Sequence, residues 1–156
     1  MDAIARLFAI EEIKLAKARQ QRGVDTKDAE LLGRAFAEDV EIDCRGVMSD
    51  PSTGANLAPE TDEMIYGRKN AVNAALASLK GVVSVHHVSV PEIEVTGPTS
   101  GRAIWPMVDR IRYGKDAPFQ EIIGYGYYHE TYERTGEDWQ IKTMRLARTR
   151  MDFIPW

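Results

Sequence analysis

Four polar residues stand out because apolar side chains would serve packing better at their positions. His86 and His87 are adjacent in one β-rich run, Asp109 lies in another, and Asp25 follows the first helical segment. Imidazole and carboxyl groups exchange protons or hold metal ions, and burial tunes the pKa at which they do so. These residues are therefore the first candidates for a functional site.

The two histidines cannot act as one site if their run is a strand, because neighbouring strand residues point to opposite faces. We expect His86 to face the interior and His87 to face away. Asp109 shares its parity with Trp105 and Met107, so its carboxylate lies on the concave face if those two residues line it. With the opposite parity, Asp109 would instead form a surface ion pair with the adjacent arginine.

The same residues also have structural interpretations. Asp25 is a good N-cap for a helix that starts after it, and a histidine in a strand is often a hydrogen-bonded structural residue. A metal site built from the histidines and aspartates would need helical or hairpin ligand spacing, and none of the pairs has it. The sequence therefore predicts no metal site, and Cys44 is expected to be a small core residue.

Three helices are predicted to position these residues. The first ends near Gly23, where the pattern of small and apolar residues from Ala9 to Val24 stops. Asp25, with Asp28 three positions on, imitates a capping box for a short second helix. The third runs from about Gly67 to Leu79, and its apolar stripe needs a sheet to cover.

The rest of the chain is predicted to form that sheet. A short strand at Val40–Cys44 comes first, and the segment from Arg45 to Met64 is rich in turn formers, which indicates a mobile loop that acts as a lid. Helices followed by a long antiparallel sheet are typical of an α+β fold, and such a sheet curls to leave a concave face. The β-rich runs follow in meander order at Val82–Val95, Gly101–Tyr113, Glu121–Arg134 and Trp139–Met151.

Composition limits the kind of protein this is. A chain of 156 residues with 44% apolar content is expected to form one domain, 1–156, around one sizeable core. A net charge of −4 does not provide the cationic face that nucleic acid or anionic lipid requires. A lone cysteine makes no intrachain disulfide, and no segment resembles a signal peptide or membrane span. We expect a soluble cytoplasmic protein whose partners are neither nucleic acid nor membrane.

Several local strings, together with the order of the elements, resemble the SnoaL-like branch of the nuclear transport factor 2-like superfamily. The similarity covers nearly the whole chain. It implies a cystatin-like α+β cone, in which three N-terminal helices pack on a strongly curved mixed or antiparallel sheet around an internal pocket. The matching strings are Ile13-Lys14 through Asp25-Thr26-Lys27-Asp28, Phe36 through Val40, His86-His87 with Pro91-Glu92-Ile93-Glu94, Trp105 before Asp109-Arg110, Gly124 through Tyr132, and Trp139-Gln140-Ile141-Lys142.

The resemblance also implies roles for four residues. Cofactor-free dehydratases and related lyases of this superfamily commonly carry an aspartate near the first helix junction and a histidine on the strand after the third helix, which correspond to Asp25 and His86. Neutral His86 would abstract a proton, and Asp25 would accept the other ring N–H and stabilise the imidazolium. Alternatively, Asp109 would orient the histidine in place of Asp25, or act as the acid if burial raises its pKa. Arg148 would stabilise a developing enolate or a leaving group.

One departure from the family pattern concerns Gln20. Dehydratases of this type often place a tyrosine on the first helix shortly before the aspartate, and an amide is a very poor acid in comparison. Tyrosines elsewhere in the chain are the available substitutes, with Tyr127 among them. The residues expected to contact a substrate are Gln20, Tyr66, His87, Trp105, Met107, Tyr125 and Tyr128.

Together these features predict a cofactor-independent lyase or isomerase, of the dehydratase, ketosteroid-isomerase or cyclase type, that acts on a small hydrophobic cyclic ligand. The alternative is a non-catalytic ligand-binding or assembly module, because one fold hosts many functions. Members of the superfamily often pair through the open face of the sheet. The resemblance therefore implies a homodimer, with a trimer as the other option.

Overall fold

The structure, a computed structural model, describes all residues from 1 to 156 and contains three helices and nine strands. The helices are α1 (Ala3–Thr26), α2 (Ala29–Ala35) and α3 (Arg68–Ser78). The strands are β1 (Phe36–Asp43), β2 (Ser49–Asp50), β3 (Ala55–Asn56), β4 (Met64–Tyr66), β5 (Val83–Val88), β6 (Glu92–Gly97), β7 (Ser100–Arg112), β8 (Glu121–Thr135) and β9 (Asp138–Ile154).

The junction between α1 and α2 differs from the sequence-based expectation. α1 continues past Gly23 to Thr26, and Lys27 ends it in a left-handed conformation with φ 56°. The N-cap of α2 is Asp28, whose carboxylate accepts a backbone N–H of the first turn at 2.9 Å. The prediction that Asp25 caps α2 is therefore wrong, and its carboxylate is available for another partner.

Gly23 has a packing role inside α1 instead of ending the helix. α2 folds back against α1 at this point, and a Cβ on Gly23 would lie only 2.8 Å from the backbone nitrogen of Leu32. Real side chains do not tolerate that distance, so glycine is the residue that permits the close approach. This contact brings the last turn of α1 over the sheet.

The sheet confirms the predicted α+β fold. Its strands lie in the order β4-β1-β9-β8-β7-β5, and β6 pairs with the first half of β7. β7, β8 and β9 form the predicted meander, and β1 joins β9 as the only parallel pair, which makes the sheet mixed. The predicted run Val82–Val95 is two strands, since the chain leaves the sheet before Pro91, which has no N–H for a ladder. The sheet does not close on itself, because β4 and β5 are both edges.

The core lies between the helices and the inner face of this sheet. It is one cluster of 20 buried hydrophobic residues. α1 packs directly on Gly101 of β7, where a Cβ would lie only 2.9 Å from the Ile13 side chain. None of the helices combines the length and the apolar character that crossing a bilayer requires.

The segment from Arg45 to Glu63 has structure of its own. It contains the β2–β3 hairpin and a turn of 3-10 helix at Pro59–Thr61. The buried carboxylate of Asp50 stabilises the hairpin by accepting a hydrogen bond from the Ser52 hydroxyl at 2.8 Å. Val47 packs against the core. The action of this segment as a lid stays a prediction.

Candidate functional site

The alternation of β5 separates the two adjacent histidines. Ser84, His86 and Val88 point to the inner face of the sheet, whereas Val85 and His87 point outward and are exposed. The side chain of His86 is only 10% exposed. His86 is therefore the histidine of the interior, and His87 cannot reach the same ligand.

Asp25 binds His86 through both carboxylate oxygens. Its Oδ1 lies 2.6 Å from Nδ1 of the His86 ring, and its Oδ2 accepts the backbone N–H of His86 at 2.8 Å. The Ser84 hydroxyl donates to Oδ1 at 2.9 Å. The last turn of α1 is thereby fixed to β5 at the histidine.

The surroundings of Asp25 favour its carboxylate form. Burial alone would raise the pKa of Asp25, but the hydrogen bonds and charge of His86, with a hydrogen bond from Ser84, outweigh burial and lower it. An ionised carboxylate only accepts hydrogen bonds, so Nδ1 of His86 carries the proton. In the tautomer with a proton only on Nδ1, the lone pair is on Nε2.

Nε2 of His86 has no hydrogen-bond partner in the protein. Oδ2 of Asp109 lies 3.9 Å away, which is too far for a hydrogen bond. Only two side-chain N or O atoms are both sealed from solvent and unpartnered, namely Nη1 of Arg19 and Oε1 of Gln21. Since Nε2 is not one of them, it is not sealed from solvent.

Asp109 faces His86 from the neighbouring strand. The two residues are paired in the antiparallel β5–β7 ladder, and Asp109 is buried. Its carboxylate forms a bidentate ion pair with Arg148 of β9, with 2.9 Å between Nη1 and Oδ1 and 2.8 Å between Nη2 and Oδ2. The alternative of a surface pair with Arg110 is wrong, because Arg110 binds Glu121 on the outer face.

Arg148 reaches Asp109 by crossing over β8. Gly124 lies between them on the inner face, and a Cβ there would collide with Nη1 of Arg148 and Oδ1 of Asp109. The guanidinium also donates from Nε to the carbonyl oxygen of Val47 at 2.9 Å. Arg148 therefore joins the Asp109 carboxylate to the 45–63 segment.

Four of the residues predicted to contact a ligand are buried on the inner side of the fold. Sδ of Met107 lies 3.7 Å from Nη1 of Arg148, at the edge of the ion pair. Burial raises the pKa of Tyr128, and the charge of Asp109 raises it further. The four buried residues are Gln20, Trp105, Met107 and Tyr128.

Three other predicted ligand contacts are corrected by the structure. His87 and Tyr125 have the outward parity of their strands. Tyr66 pairs with Glu41 at the β4 edge and is 59% exposed. Strand alternation places all three on the side of the sheet opposite His86, so they do not contact a ligand there.

A second buried polar group is absent from the sequence-based predictions. Lys17, which the sequence pattern groups with the polar residues of the first helix, is 0% exposed and forms an ion pair with Glu130 of β8 at 2.6 Å. The Tyr132 hydroxyl donates to the other oxygen of Glu130 and accepts from Nε1 of Trp105 at 3.0 Å. The burial of Lys17 could have been predicted from its spacing, because Lys17 lies four residues after the apolar Ile13 and residues four apart share one face of a helix.

Two residues close to His86 and Asp109 were also missed. Ser84 has the same parity as His86, and Tyr113 has the same parity as Asp109, so strand alternation could have found both. Burial raises the pKa of Tyr113, and the Asp109 charge raises it further, which keeps its hydroxyl protonated. The Tyr113 ring packs edge-on against Phe119, with 5.1 Å between ring centroids.

The arrangement around His86 is suited to proton transfer more than to metal binding. Asp25 and Asp109 approach different nitrogens of the ring, and no three His, Cys, Asp or Glu side chains form a group that could hold an ion. A histidine with one nitrogen held by a carboxylate and the other without a protein partner can accept a proton at the second nitrogen.

Two broad depressions lie along the sheet. One of about 740 Å³ includes Ile104 and His129, and one of about 290 Å³ includes Tyr127. His86 and Asp25 do not line either depression.

Comparison with known proteins identifies one family for the chain. Residues 5–145 match the model of the SnoaL-like domain family. No curated protein matches the sequence.

Solved structures show the same fold at low sequence identity. A hexachlorocyclohexane dehydrochlorinase, LinA type 2, superposes with a TM-score of 0.80 and 16% identity, covering 98% of this chain and 93% of that one. A protein described as a candidate scytalone dehydratase, from Novosphingobium aromaticivorans, superposes with a TM-score of 0.73 and 21% identity, covering 97% of this chain and 91% of that one. An uncharacterized protein with a cystatin-like fold, from Caulobacter vibrioides, superposes with a TM-score of 0.68 and 13% identity, covering 90% of this chain and 89% of that one. These similarities establish a cystatin-like architecture.

Proposed function

The chain belongs to the SnoaL-like domain family, and from that premise we propose that it is a cofactor-independent lyase or isomerase acting on a small hydrophobic cyclic molecule. The observation that carries the proposal is the Asp25–His86 pair, in which a carboxylate holds Nδ1 and leaves Nε2 unpartnered. A histidine held in this way is a general base.

In the proposed reaction His86 removes a proton from a ring carbon of the ligand. Nε2 accepts the proton, and the electron pair left behind either expels a leaving group from the next carbon or is reprotonated elsewhere on the ring. The imidazolium then has Asp25 at 2.6 Å from one nitrogen and Asp109 at 3.9 Å from the other. Both carboxylates attract the charged ring, which lowers the free energy of proton transfer.

Asp109 and Arg148 act together in this proposal. The guanidinium donates to Asp109 and to the carbonyl of Val47, so its position is fixed before a ligand binds. The positive charge of Arg148 offsets the negative charge of Asp109. Without it, the Asp109 carboxylate would repel an anionic intermediate. A fixed positive charge in the interior also stabilises a developing enolate or leaving group.

The names of two structural neighbours agree with an elimination reaction. One is named as a dehydrochlorinase and the other as a candidate dehydratase, and both names denote the loss of a small group together with a proton. Their low identity to this chain supports a shared fold, and the reaction class comes to this chain only as part of the proposal.

The adjacent histidines provide a matched pair of variants for the test. Wild type, His86→Gln and His87→Gln would be incubated in deuterated water with cyclic ketones, hydroxylated rings and chlorinated rings, while NMR follows deuterium incorporation and elimination. We expect His86→Gln to lose about 10²–10⁴-fold in rate, the usual contribution of a general base, and His87→Gln to match wild type. Equal rates in the two variants, or no turnover by wild type, would contradict the proposal.

A non-catalytic ligand-binding or assembly module is the second candidate function. It is favoured by the Asp109–Arg148 pair, because both side chains are only 3% exposed and satisfy each other. Such a pair can serve to hold β7 and β9 together across β8. Ligand binding of equal affinity in wild type and His86→Gln, without turnover in either, would support the module.

We also propose that two copies associate through the outer face of the sheet. Val85 and Tyr127 on this face are 42% and 43% exposed, and exposed apolar residues next to broad depressions mark interaction surfaces. Light scattering should then give twice the chain mass of 17.5 kDa. A mass of one or three chains would contradict the dimer.

A further inference from the structure

Ser84 of β5 contacts Asp25 from the same face of the strand as His86, two residues before it. The Ser84 hydroxyl donates to Oδ1 of Asp25 at 2.9 Å, and Ser84 is only 4% exposed. The same Oδ1 lies 2.6 Å from Nδ1 of the His86 ring. One carboxylate oxygen is therefore shared between the serine hydroxyl and the histidine ring.

The other carboxylate oxygen of Asp25 fixes the orientation in which Oδ1 is shared. Oδ2 accepts the backbone N–H of His86 at 2.8 Å. β5 is an edge of the sheet, so this contact satisfies a backbone donor at a position where no further strand follows. The carboxylate cannot turn both oxygens toward the ring without leaving that N–H unpaired.

The packing around Ser84 does not itself require a hydroxyl. In the β5–β7 ladder Ser84 is paired with Ile111, a buried residue of the hydrophobic core. A buried hydroxyl costs free energy unless it is hydrogen-bonded, and a small apolar side chain would avoid that cost. Asp25 is the acceptor that satisfies the hydroxyl of Ser84 at this position.

Other charged and titratable groups approach the His86 ring from β7, β8 and β9. Oδ2 of Asp109 lies 3.9 Å from Nε2 of the ring, and Arg148 offsets the charge of Asp109 through a bidentate ion pair. Tyr113 and Tyr128 lie within reach of the Asp109 charge, and burial raises the pKa of both, so their hydroxyls are neutral. None of these groups makes a hydrogen bond to the ring.

We propose that Ser84 is a positioning residue that limits the basicity of His86 by sharing Oδ1 of Asp25 with the ring. The hydroxyl takes up part of the negative charge of that oxygen, so the bond from Nδ1 to Oδ1 stabilises the imidazolium less than an unshared carboxylate would. The ring therefore stays neutral, and able to accept a proton, to a lower pH. The proposal deepens the function proposed above, on which it rests for the role of His86 as a base.

The expected size of the effect follows from how hydrogen bonds act on a carboxylate. Burial raises the pKa of Asp25, but the hydrogen bonds and charge of His86, with the hydrogen bond from Ser84, outweigh burial and lower it. A carboxylate that accepts two or three N–H bonds has its pKa lowered by about two units, so one bond contributes roughly half a unit to one unit. Loss of the Ser84 hydroxyl should therefore raise the proton affinity of the Asp25–His86 pair by roughly three- to tenfold.

Nitrogen NMR of the histidine rings tests the proposal without requiring a substrate. Protein labelled with nitrogen-15 histidine would be titrated with acid, and His86→Gln would assign the signal of His86. The other two histidines, His87 and His129, are exposed and serve as internal controls. In Ser84→Ala we expect the pH midpoint of the His86 ring to rise by roughly half a unit to one unit, while the midpoints of the other two rings are unchanged.

Three further variants separate the hydrogen bond from the volume of the side chain. Ser84→Thr keeps the hydroxyl and should keep the His86 midpoint of wild type. Ser84→Cys fills the same space with a weak donor and should behave like Ser84→Ala. Ser89→Ala is the matched control, because Ser89 is exposed just after β5, and it should change none of the three rings.

The same titrations name the results that would overturn the proposal. An unchanged His86 midpoint in Ser84→Ala would overturn it, and so would an equal rise in Ser84→Thr, because the hydroxyl would then not be the cause. If Ser84→Ala does not fold, Ser84→Cys decides in its place. A Ser84→Cys variant with the midpoint of wild type would show that only the volume of the side chain matters.

Turnover separates this proposal from the proposed function. Where wild type converts one of the cyclic compounds above, the acidic limb of its rate–pH profile should move to higher pH in Ser84→Ala, with KM unchanged on the alkaline side. A raised NMR midpoint in a protein without turnover would leave the role of Ser84 standing and overturn the lyase or isomerase. Turnover that requires His86, with an acidic limb that does not move in Ser84→Ala, would instead overturn the role of Ser84 alone.

Discussion

Two polar groups lie on the inner face, one around Lys17 and Glu130 and the other around His86 and Asp25. Each pairs a carboxylate with a basic side chain, but they differ in how many of their polar atoms have a partner in the protein. In the Lys17–Glu130 group both side chains are 0% exposed, and every carboxylate oxygen has a donor within the protein. In the His86 group, Asp25 keeps 23% of its side chain exposed and Nε2 of the histidine has no partner. Both carboxylate oxygens of the first group have protein donors, whereas one ring nitrogen of the second group has no protein partner.

A buried polar group that is complete within the protein therefore differs from an incomplete one in the partners of its atoms. Burial and charge are common to both groups, so neither property by itself marks a site. The distinguishing observation is an unsatisfied but accessible atom, because folding leaves few polar groups unpaired unless something else binds them. Substitutions that disturb one group at a time should therefore change different properties of the molecule.

The largest effect on stability is expected at Lys17. Lys17→Met leaves Glu130 buried without its counter-ion, and removing one partner of a buried pair costs about 3–5 kcal/mol in the free energy of unfolding. Urea denaturation at neutral pH measures this loss. The double variant Lys17→Met with Glu130→Gln should recover part of the lost free energy of unfolding, because it no longer buries an unpaired negative charge at Glu130. If the double variant loses the sum of the two single losses, the pair is not coupled.

Removal of the Asp25 carboxylate should have a smaller effect that depends on pH. Asp25→Asn weakens hydrogen bonds made to a charged group, worth about 1.5–3 kcal/mol at neutral pH. The folded-state pKa of Asp25 is lowered from its ordinary 3.8, so its stabilisation is complete above that value and is lost as the pH falls through the lowered pKa. The urea midpoints of wild type and variant should therefore differ at neutral pH and converge in strong acid. A difference that is constant with pH would contradict this assignment.

The sequence predicted the fold from local patterns, and those patterns were sufficient where contacts are local. The helical spacing of Ala71, Val72 and Ala75 indicated α3, and turn signals separated the long strands of the meander. Asp109 was placed on the inner face through its parity with Trp105, because alternation depends only on neighbouring residues.

The site was harder to predict because its contacts join distant parts of the chain. Asp25 and Asp28 look equally good as helix caps, and only the contact with His86, 61 residues away, distinguishes them. Lys17 looks like a surface lysine until Glu130, 113 residues later, is placed beside it. No local pattern contains either partner, so the sequence alone could not tell a cap from a dyad or a solvated lysine from a buried one.

Substitution of Gly124 tests how tightly Asp109 and Arg148 are packed beside His86. Gly124→Ala places a methyl group against Nη1 of Arg148 and Oδ1 of Asp109, and overpacking of this kind costs about 1–3 kcal/mol. Gly114→Ala is the matched control, because a Cβ at Gly114 meets nothing within 4 Å. Thermal and urea unfolding should show a loss only in the first variant. Equal stability of the two variants would mean that Arg148 can leave Asp109 at little cost.

The smallest effect is expected for an ion pair that resembles Lys17–Glu130 in distance but not in surroundings. Nε of Arg102 lies 2.8 Å from Oε2 of Glu94 on the outer face, and 66% and 52% of the two side chains are exposed. Water screens this pair, so a double-mutant cycle with Arg102→Gln and Glu94→Gln should give a coupling of about 0–1 kcal/mol. The coupling should fall further in about 1 M sodium chloride, where the Debye length is short, while the Lys17–Glu130 coupling should persist because salt cannot enter. A salt-insensitive coupling at Arg102 would show that burial is not what separates the two pairs.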